Sequence, residues 1–296
     1  MTAIVVDGLR KAYGAVEAVR GVSFSVEEGE VFGLLGPNGA GKTTTIEILE
    51  GYRHRDAGAV TVLGVDPEVG GRKLRERVGL VLQEAALPAM LSVRELVELY
   101  RGYYPSPRPA AEIIELVGLT EKTNERVRKL SGGQQRRLDV ALGLVGNPDL
   151  VFLDEPTTGF DPSARRAAWE VVRNMRTLGK TIVLTTHYMD EAQYLADRIC
   201  VIAAGKVVAE GTPETLRAGT EQRTRIRFEM PAGLDAAALP LPVTVESGMA
   251  LIETPTPTRS LRDLTTWAVA QGLELPNLEV MRPSLEDVYL ELTKHE

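Results

Sequence analysis

The chain carries the sequence Gly36-Pro37-Asn38-Gly39-Ala40-Gly41-Lys42-Thr43 between an apolar run, residues 31–35, and a segment whose apolar residues have helical spacing. A strand, the pattern G-x-x-x-x-G-K-[ST] and a helix in this order predict a phosphate-binding loop. The glycines allow a tight turn that points N–H groups at phosphate oxygens, and the helix start adds its positive dipole end. We expect Lys42 to reach the β- and γ-phosphates of a nucleotide and Thr43 to bind Mg²⁺. The predicted nucleotide-binding set is Gly36, Pro37, Asn38, Gly39, Ala40, Gly41, Lys42, Thr43 and Thr44.

The runs around this loop predict an α/β core. Residues 150–153 and 181–184 are almost entirely apolar, which is typical of parallel strands buried on both faces. The runs 198–203 and 206–210 predict a closing hairpin. Together with the phosphate loop, this alternation indicates the phosphate-loop NTPase class. Further strands are predicted at the β-branched runs 3–7, 20–26, 31–35, 59–63 and 78–82.

The alternation is interrupted between residues 84 and 147, which we predict to be a helical insertion. Ser92 is a good N-cap for a helix at 93–101, and a second helix is predicted at 110–117. The composition then shifts near Gly219, so we predict two domains. They are a nucleotide-binding domain of residues 1–219 and a small α+β accessory domain of residues 220–296. The accessory domain has predicted strands at 224–229, 242–246, 249–253 and 277–281 and helices at 260–271 and 284–293.

Two carboxylates, Asp154 and Glu155, follow the apolar run 150–153. Ligands bind at the carboxyl ends of the strands in open parallel sheets. Asp154 fits the Mg²⁺ partner of phosphate-loop NTPases, and Glu155 fits a base that polarises the attacking water. A plain turn at the end of a strand is the alternative for this pair, and the phosphate loop upstream favours the catalytic interpretation.

The pentapeptide Leu130-Ser131-Gly132-Gly133-Gln134 narrows the class of NTPase. Its serine and glycines predict the start of a helix that can hold an anion. The sequence here resembles the nucleotide-binding subunits of ABC transporters, whose family signature is this pentapeptide. The resemblance covers residues 3–218. It implies ATP as the nucleotide and a homodimer, in which the signature residues Ser131, Gly132, Gly133 and Gln134 of one copy cap the γ-phosphate held by the other.

The same resemblance implies roles for four further residues. Tyr13 is similar to the aromatic that stacks on adenine, and Gln83 to the glutamine that contacts Mg²⁺ and the attacking water. Asp161 lies in a segment similar to the loop between subunits, and His187 is similar to the switch histidine at the γ-phosphate. The implied catalytic residues are therefore Glu155, His187 and Gln83, and the implied metal ligands are Thr43, Gln83 and Asp154.

Composition limits the partners of the chain. A formal net charge of −7 argues against nucleic acid, because phosphate neutralisation needs clustered Lys and Arg. A single cysteine, Cys200, excludes an intramolecular disulfide and fits a reducing cytosol. No run approaches 18 apolar residues, and the start of the chain lacks the features of a signal peptide. The resemblance therefore implies a cytoplasmic protein held at the inner face of the membrane by a separate permease.

The segment 283–290 resembles the end of drug-resistance exporter ATPases of the daunorubicin type, which implies export of an amphiphilic compound. Two alternatives remain: an ABC ATPase that serves no permease, and a phosphate-loop enzyme of another kind, such as a small-molecule kinase. The accessory domain carries no ligand motif, and its expected role is support of the homodimer. The sequence does not identify the cargo, because the cargo contacts the permease.

Overall fold

The computed structural model describes residues 1–81, 87–219, 224–231 and 233–281, together with Asp287 and Tyr289. Its contacts divide the chain into two compact units, Met1–Pro213 and Glu214–His295. Each unit has buried apolar clusters of its own.

The first unit contains a large, mostly parallel sheet and a smaller antiparallel one. Their strands are β1 (Thr2–Tyr13), β2 (Val16–Glu27), β3 (Val31–Leu35), β4 (Ala57–Val62), β5 (Val78–Val81), β6 (Leu150–Asp154), β7 (Thr181–Thr186), β8 (Arg198–Ala203) and β9 (Lys206–Gly211). The large sheet has the order β5-β6-β7-β3-β8-β9, in which only β9 is antiparallel to its neighbour. β3, β6 and β7 are buried along almost their whole length, as expected for parallel strands covered on both faces. The predicted α/β core is confirmed.

The register of the large sheet aligns the carboxyl ends of its central strands. Leu35 of β3 lies opposite Thr186 of β7, and Asp154 of β6 lies opposite Thr185. The three strands therefore end in one row, and the loops that follow them share one edge of the sheet.

The small sheet has the order β2-β1-β4, and its strands are longer than the sequence predicts. β1 continues past Gly8, which the prediction treats as a break. Gly8 has φ +59 and lies in a bulge between Val6 and Leu9, after which the pairing with β2 resumes. Bulges of this kind place an extra residue without ending the strand, so β1 extends to Tyr13.

The helices of the first unit are α1 (Lys42–Leu49), α2 (Gly71–Arg75), α3 (Val93–Arg101), α4 (Ala110–Leu116), α5 (Gly132–Leu144), α6 (Pro162–Thr177) and α7 (Met189–Leu195). The next helix, α8 (Pro213–Gly219), begins at the last residue of the first unit and belongs mainly to the second. The predicted cap of α3 is confirmed, because Ser92 and Glu95 form a reciprocal capping box. α4 ends one residue before the predicted end, with Val117 as its C-cap. α3, α4 and α5 share one apolar cluster with β6 and β7, so these three helices pack onto the large sheet.

Among the described residues, the second unit contains most of α8, an antiparallel sheet and one longer helix. Its elements are β10 (Thr224–Glu229), β11 (Thr244–Glu246), β12 (Met249–Thr254), α9 (Pro257–Ala270) and β13 (Glu279–Met281), with the sheet order β11-β12-β10-β13. Ile226, Phe228 and Ile252 form one buried face with Leu264 of α9. α9 begins three residues before the predicted start, because Pro257 fits the first turn of a helix. The helix predicted at 284–293 lies outside the described residues except for Asp287 and Tyr289, which are both helical.

In the part of the chain that the structure describes, no helix combines the length and the apolar character needed to cross a bilayer.

The capping box of α3 generates a stability prediction. Ser92→Ala removes the hydroxyl that accepts from the Glu95 N–H, and we expect it to lower the free energy of unfolding by about 1 kcal/mol. Urea denaturation followed by circular dichroism measures the change. The control is Ser163→Ala, because the exposed Ser163 side chain makes no hydrogen bond with the described residues. Equal effects of the two substitutions would contradict the prediction.

Candidate active site

The phosphate loop runs from the end of β3 into α1 and packs closely against the backbone around it. A Cβ atom at Gly36 would lie 2.2 Å from the Ile202 carbonyl oxygen, and one at Gly41 would lie 2.4 Å from the Ala18 carbonyl oxygen. Gly41 also has φ +100, a conformation that favours glycine. Packing therefore requires glycine at both positions, and the backbone conformation requires it at Gly41 as well.

Lys42 is 6% exposed, and its ammonium group is held inside the loop. Its Nζ donates to the carbonyl oxygens of Gly36, at 2.7 Å, and Pro37, at 3.1 Å. Burial lowers the pKa of Lys42, while the nearby carboxylates of Glu155 and Asp154 raise it. Two neutral acceptors thus occupy positions that phosphate oxygens would take, so the donor set fits a nucleotide phosphate.

The acid pair lies at the end of β6, beside β7. The Asp154 carboxylate accepts from the Thr185 hydroxyl of β7. Glu155 has φ +44, and its N–H donates to the Thr185 Oγ1 at 3.0 Å. A non-glycine residue in this left-handed region is strained, and such strain occurs mainly at functional sites. The carboxylate of Asp154 at the strand end, near Lys42, provides the kind of oxygen ligand that Mg²⁺ uses.

His187 follows β7 and faces the acid pair. Its Nδ1 lies 3.2 Å from Glu155 Oε1, and Glu155 Oε2 accepts from the Thr158 hydroxyl at 3.0 Å. The Nδ1 is buried and has no well-aligned hydrogen-bond partner among the described residues. The structure therefore brings together Lys42, Asp154, Glu155 and His187 at one edge of the sheet.

The signature residues lie at the start of α5. Ser131 is the N-cap, its Oγ accepts from the Gln134 N–H at 3.3 Å, and the Gln134 side chain accepts from the Ser131 N–H at 2.9 Å. This capping box leaves the first turn, with Gly132 and Gly133, facing a cleft of about 470 Å³ that Glu155 also lines. The start of a 13-residue helix, free of side chains at these two positions, suits an anion.

Asp161 lines the same cleft and caps α6. Its Oδ1 accepts from the N–H groups of Ser163, at 2.8 Å, and Ala164, at 2.9 Å. The carboxylate is thus the N-cap that starts the helix after the acid pair.

Tyr13 ends β1 and is not part of the cluster at the sheet edge. Its ring is 42% exposed, with the Arg53 guanidinium 5.3 Å and the Lys11 ammonium 5.7 Å from the centroid. An exposed aromatic face is suited to stacking on a nucleotide base. Gln83, the remaining predicted site residue, lies outside the described residues.

Sequence reasoning missed the charged residues that support the acid pair from α5. Arg136 donates to the Asp154 carbonyl oxygen at 3.1 Å and pairs with Asp139 at 2.9 Å. Burial raises the pKa of Asp139 to about 6, although Arg136 opposes the shift. The i, i+3 spacing of opposite charges on α5 is the signal that could have indicated this pair.

Glu50, at the C-terminal end of α1, is a second carboxyl that the sequence does not single out. Burial raises its pKa to about 8, and the negative charges of Asp154 and Glu47 add to the shift. The negative charge of Asp154 thus reaches the end of α1.

Comparison with known proteins gives matches over nearly the whole chain. Residues 19–158 match the family model of ABC transporters, and residues 224–284 match a model described as the C-terminal domain of ABC transporter domain-containing-like proteins. The chain is 40% identical to a daunorubicin resistance ATP-binding protein of Streptomyces coeruleorubidus, over 99% of this chain and 96% of that protein. It is 41% identical to the Nod factor export ATP-binding protein I of Ralstonia nicotianae, over 98% of this chain and 94% of that protein.

The fold also matches solved structures. A dimeric ATP-binding cassette in a post-hydrolysis state, bound to ADP and Pi, has a TM-score of 0.62 and 26% sequence identity. The match covers 71% of this chain and 98% of that one.

The raised pKa of Glu50 predicts a pH-dependent stability. In the folded protein Glu50 keeps its proton up to about pH 8, whereas in the unfolded chain it loses the proton at a lower pH. The free energy of unfolding therefore falls as the pH rises towards 8. Glu50→Gln removes this effect, and we expect its stability relative to the parent to increase between about pH 5 and pH 8.5. Urea denaturation without Mg²⁺ measures the difference, and Glu112→Gln, on an exposed glutamate of α4, is the control. A difference that is constant over this range would contradict the prediction.

Proposed function

The chain belongs to the ATP-binding proteins of ABC transporters and is an ATPase, and we propose that two copies of it bind ATP between them and drive a separate membrane permease. The observation that carries the proposal is the division of the site. Lys42, Asp154, Glu155 and His187 share one sheet edge, whereas the second anion-binding feature, at Ser131, belongs to a different helix. In the proposal each feature is half of a site and a second copy supplies the other half, in line with the similar solved cassette, which is a dimer bound to ADP and Pi.

Binding begins at the phosphate loop. Lys42 exchanges the carbonyl oxygens of Gly36 and Pro37 for phosphate oxygens, which costs little because the acceptors are neutral and nearby. Tyr13 stacks on the adenine ring, and the remaining loop residues, from Gly36 to Thr44, line the phosphates. The partner subunit's Ser131, with its Gly132, Gly133 and Gln134, caps the γ-phosphate, and Asp161 lies at the contact between the copies.

Mg²⁺ fits the oxygen donors at the sheet edge. Thr43 and Asp154 would hold it, with Gln83 as a further ligand, and the ion would neutralise charge that develops on the phosphates. Glu155 accepts a proton from the attacking water, and His187 contacts the γ-phosphate. The strained backbone of Glu155 keeps its carboxylate beside His187 before the nucleotide arrives.

The insertion offers a surface for the permease. Met90, Leu99 and Tyr103 are 60%, 47% and 67% exposed on and next to α3. Exposed apolar and aromatic side chains of this kind are enriched at protein interfaces. We assign residues 220–296 to support of the homodimer, and we place the protein in the cytoplasm, at the inner face of the membrane through the permease, with no nucleic-acid partner.

The names of two similar proteins support a proposal for the class of compound that is transported. One is named for daunorubicin resistance and another for Nod factor export. We therefore propose that the transporter exports an amphiphilic compound, such as a drug-like antibiotic.

A mixing experiment tests the composite site. Lys42→Ala destroys the phosphate loop and Ser131→Arg blocks the signature, so each variant alone should lose nearly all ATPase activity. In a mixed dimer, the intact phosphate loop of the Ser131→Arg copy meets the intact signature of the Lys42→Ala copy, and one site works. We expect the mixture to regain about a quarter of the parental rate, since about half of the dimers are mixed and each has one working site of two. Lack of any recovery, with dimers present by light scattering, would contradict the model.

A pull-down tests the partner. Glu155→Gln keeps the shape of the carboxyl but removes the base, and we expect it to bind ATP and lose at least about 100-fold in turnover. Tagged and expressed in its native host, this variant should retain a multispanning membrane protein in mild detergent with ATP and Mg²⁺, as measured by mass spectrometry. Recovery of ribosomes or repair factors instead would assign the chain to the ABC ATPases that serve no permease.

A further inference from the structure

Glu191 is a fully buried carboxylate of α7 with an incomplete set of partners. It is 0% exposed, and its Oε1 accepts from the Thr157 hydroxyl at 2.8 Å and from the Trp169 indole N–H at 3.1 Å. Its Oε2 has no well-aligned hydrogen bond with the described residues. Burial raises the pKa of Glu191, and the hydroxyls of Thr186 and Thr157 and the indole of Trp169 oppose the shift. A group this costly to bury is expected to have a specific purpose.

The partners of Glu191 come from both segments that carry the catalytic groups. Thr157 lies two residues after Glu155 and Thr186 directly before His187. Thr186 also accepts from the Tyr188 N–H, at 2.9 Å, through the hydroxyl that faces Glu191. Glu191 is therefore bonded to the turn after the acid pair through Thr157, and it lies on α7, which directly follows the segment of His187 and Tyr188.

A second set of contacts links α6 to the segment that follows β7. The Arg165 guanidinium lies 4.4 Å from the ring centroid of Tyr188 and pairs with Asp190 at 3.1 Å. Tyr188 in turn lies against His187, with ring centroids 4.1 Å apart. Asp161 is the N-cap of α6, so the helix behind the predicted subunit contact reaches the switch histidine through Tyr188.

We propose that Glu191 is a positioning residue that sets the distance between the Glu155 carboxylate and the His187 imidazole. The proposal rests on the proposed function, in which these two groups act on the γ-phosphate and the attacking water. The carboxylate acts through Thr157 on the first group and through Thr186 on the second, and it touches neither the nucleotide nor the water. Both well-aligned donors, the Thr157 hydroxyl and the Trp169 indole N–H, converge on Oε1, and replacing Oε2 by an NH₂ group would change an acceptor into a donor.

The main test replaces the carboxylate by a group of the same shape. In Glu191→Gln, the amide oxygen still accepts from Thr157 and Trp169, but the NH₂ group meets the Thr186 hydroxyl, so the change falls on the side of His187. Thr157→Val removes the hydroxyl on the side of Glu155. We expect each variant to lower kcat by about 10- to 100-fold while changing MgATP affinity by less than about twofold, because misplacement of reacting groups affects turnover more than binding.

The matched control is Glu170→Gln. Glu170 also links α6 to α7, through the Tyr194 hydroxyl at 3.3 Å, but its side chain is 58% exposed. Among the described residues, the hydrogen bonds of Glu170 do not reach the segments of Glu155 or His187. The kcat of Glu170→Gln should therefore stay at the parental value.

The ¹⁵N NMR signals of the histidine side chains provide a measurement that does not depend on ATP turnover. The chain has three, His54, His187 and His295, so the imidazole ¹⁵N signals of His187 can be assigned by single replacements of the other two. In the protein without nucleotide, Glu191→Gln should shift the His187 signals, and Glu170→Gln should leave them in place. Thermal melting and ATP-dependent dimerisation of each variant are measured alongside.

Two results would overturn the proposal. One is a kcat of Glu191→Gln equal to that of Glu170→Gln. The other is a loss of kcat that comes with an equal loss of MgATP affinity and unshifted His187 signals, which indicates general destabilisation. The Glu155→Gln variant distinguishes failure of the proposed function from failure of the positioning role. If Glu155→Gln hydrolyses ATP at the parental rate, the proposed role of Glu155 is wrong. If Glu155→Gln is inactive while Glu191→Gln is fully active, only the positioning role of Glu191 is rejected.

Discussion

The candidate active site depends on the parallel register of β3, β6 and β7. Asp154 lies opposite Thr185 and Leu35 opposite Thr186, so the phosphate loop, the acid pair and His187 leave the sheet in one row. Successive side chains of a strand point to opposite faces, so a slip of one residue would turn Asp154 away from its partner. The hydrogen bond between Thr185 and Asp154 ties the chemistry of the site to this register.

A cluster of buried charge has formed at this edge. Lys42, Asp139 and Glu191 are each largely buried. Lys42 donates to two carbonyl oxygens, Asp139 pairs with Arg136, and Glu191 accepts from Thr157 and Trp169. Buried charges contribute little net stability even when they are paired. Their value lies in preorganisation, because fixed dipoles and charges act on a developing transition state without having to reorient.

Prediction from the sequence succeeded where function imposes a local backbone requirement. The phosphate loop, the Ser131 cap and the strand ends at Asp154 and Thr186 depend on residues close in the chain. It was less accurate for β1, where a bulge at Gly8 continues the strand, and for α9, where Pro257 starts the helix early. Gly8 is accommodated by a bulge within β1, whereas Pro257 suits the first turn of α9, where no intrahelical hydrogen bond needs its missing N–H.

The sequence by itself determined the type of core, the nucleotide loop, the acid pair and the family, because motif residues and apolar periodicity report on the local chain. Only the tertiary structure decided which charges are buried and what they touch. Nothing local distinguishes Glu191 from the exposed Glu170, or Glu50 from any other glutamate after a helix. The environment of a carboxyl is set by strands and helices that are distant in sequence, and burial and electrostatics depend on distance in space.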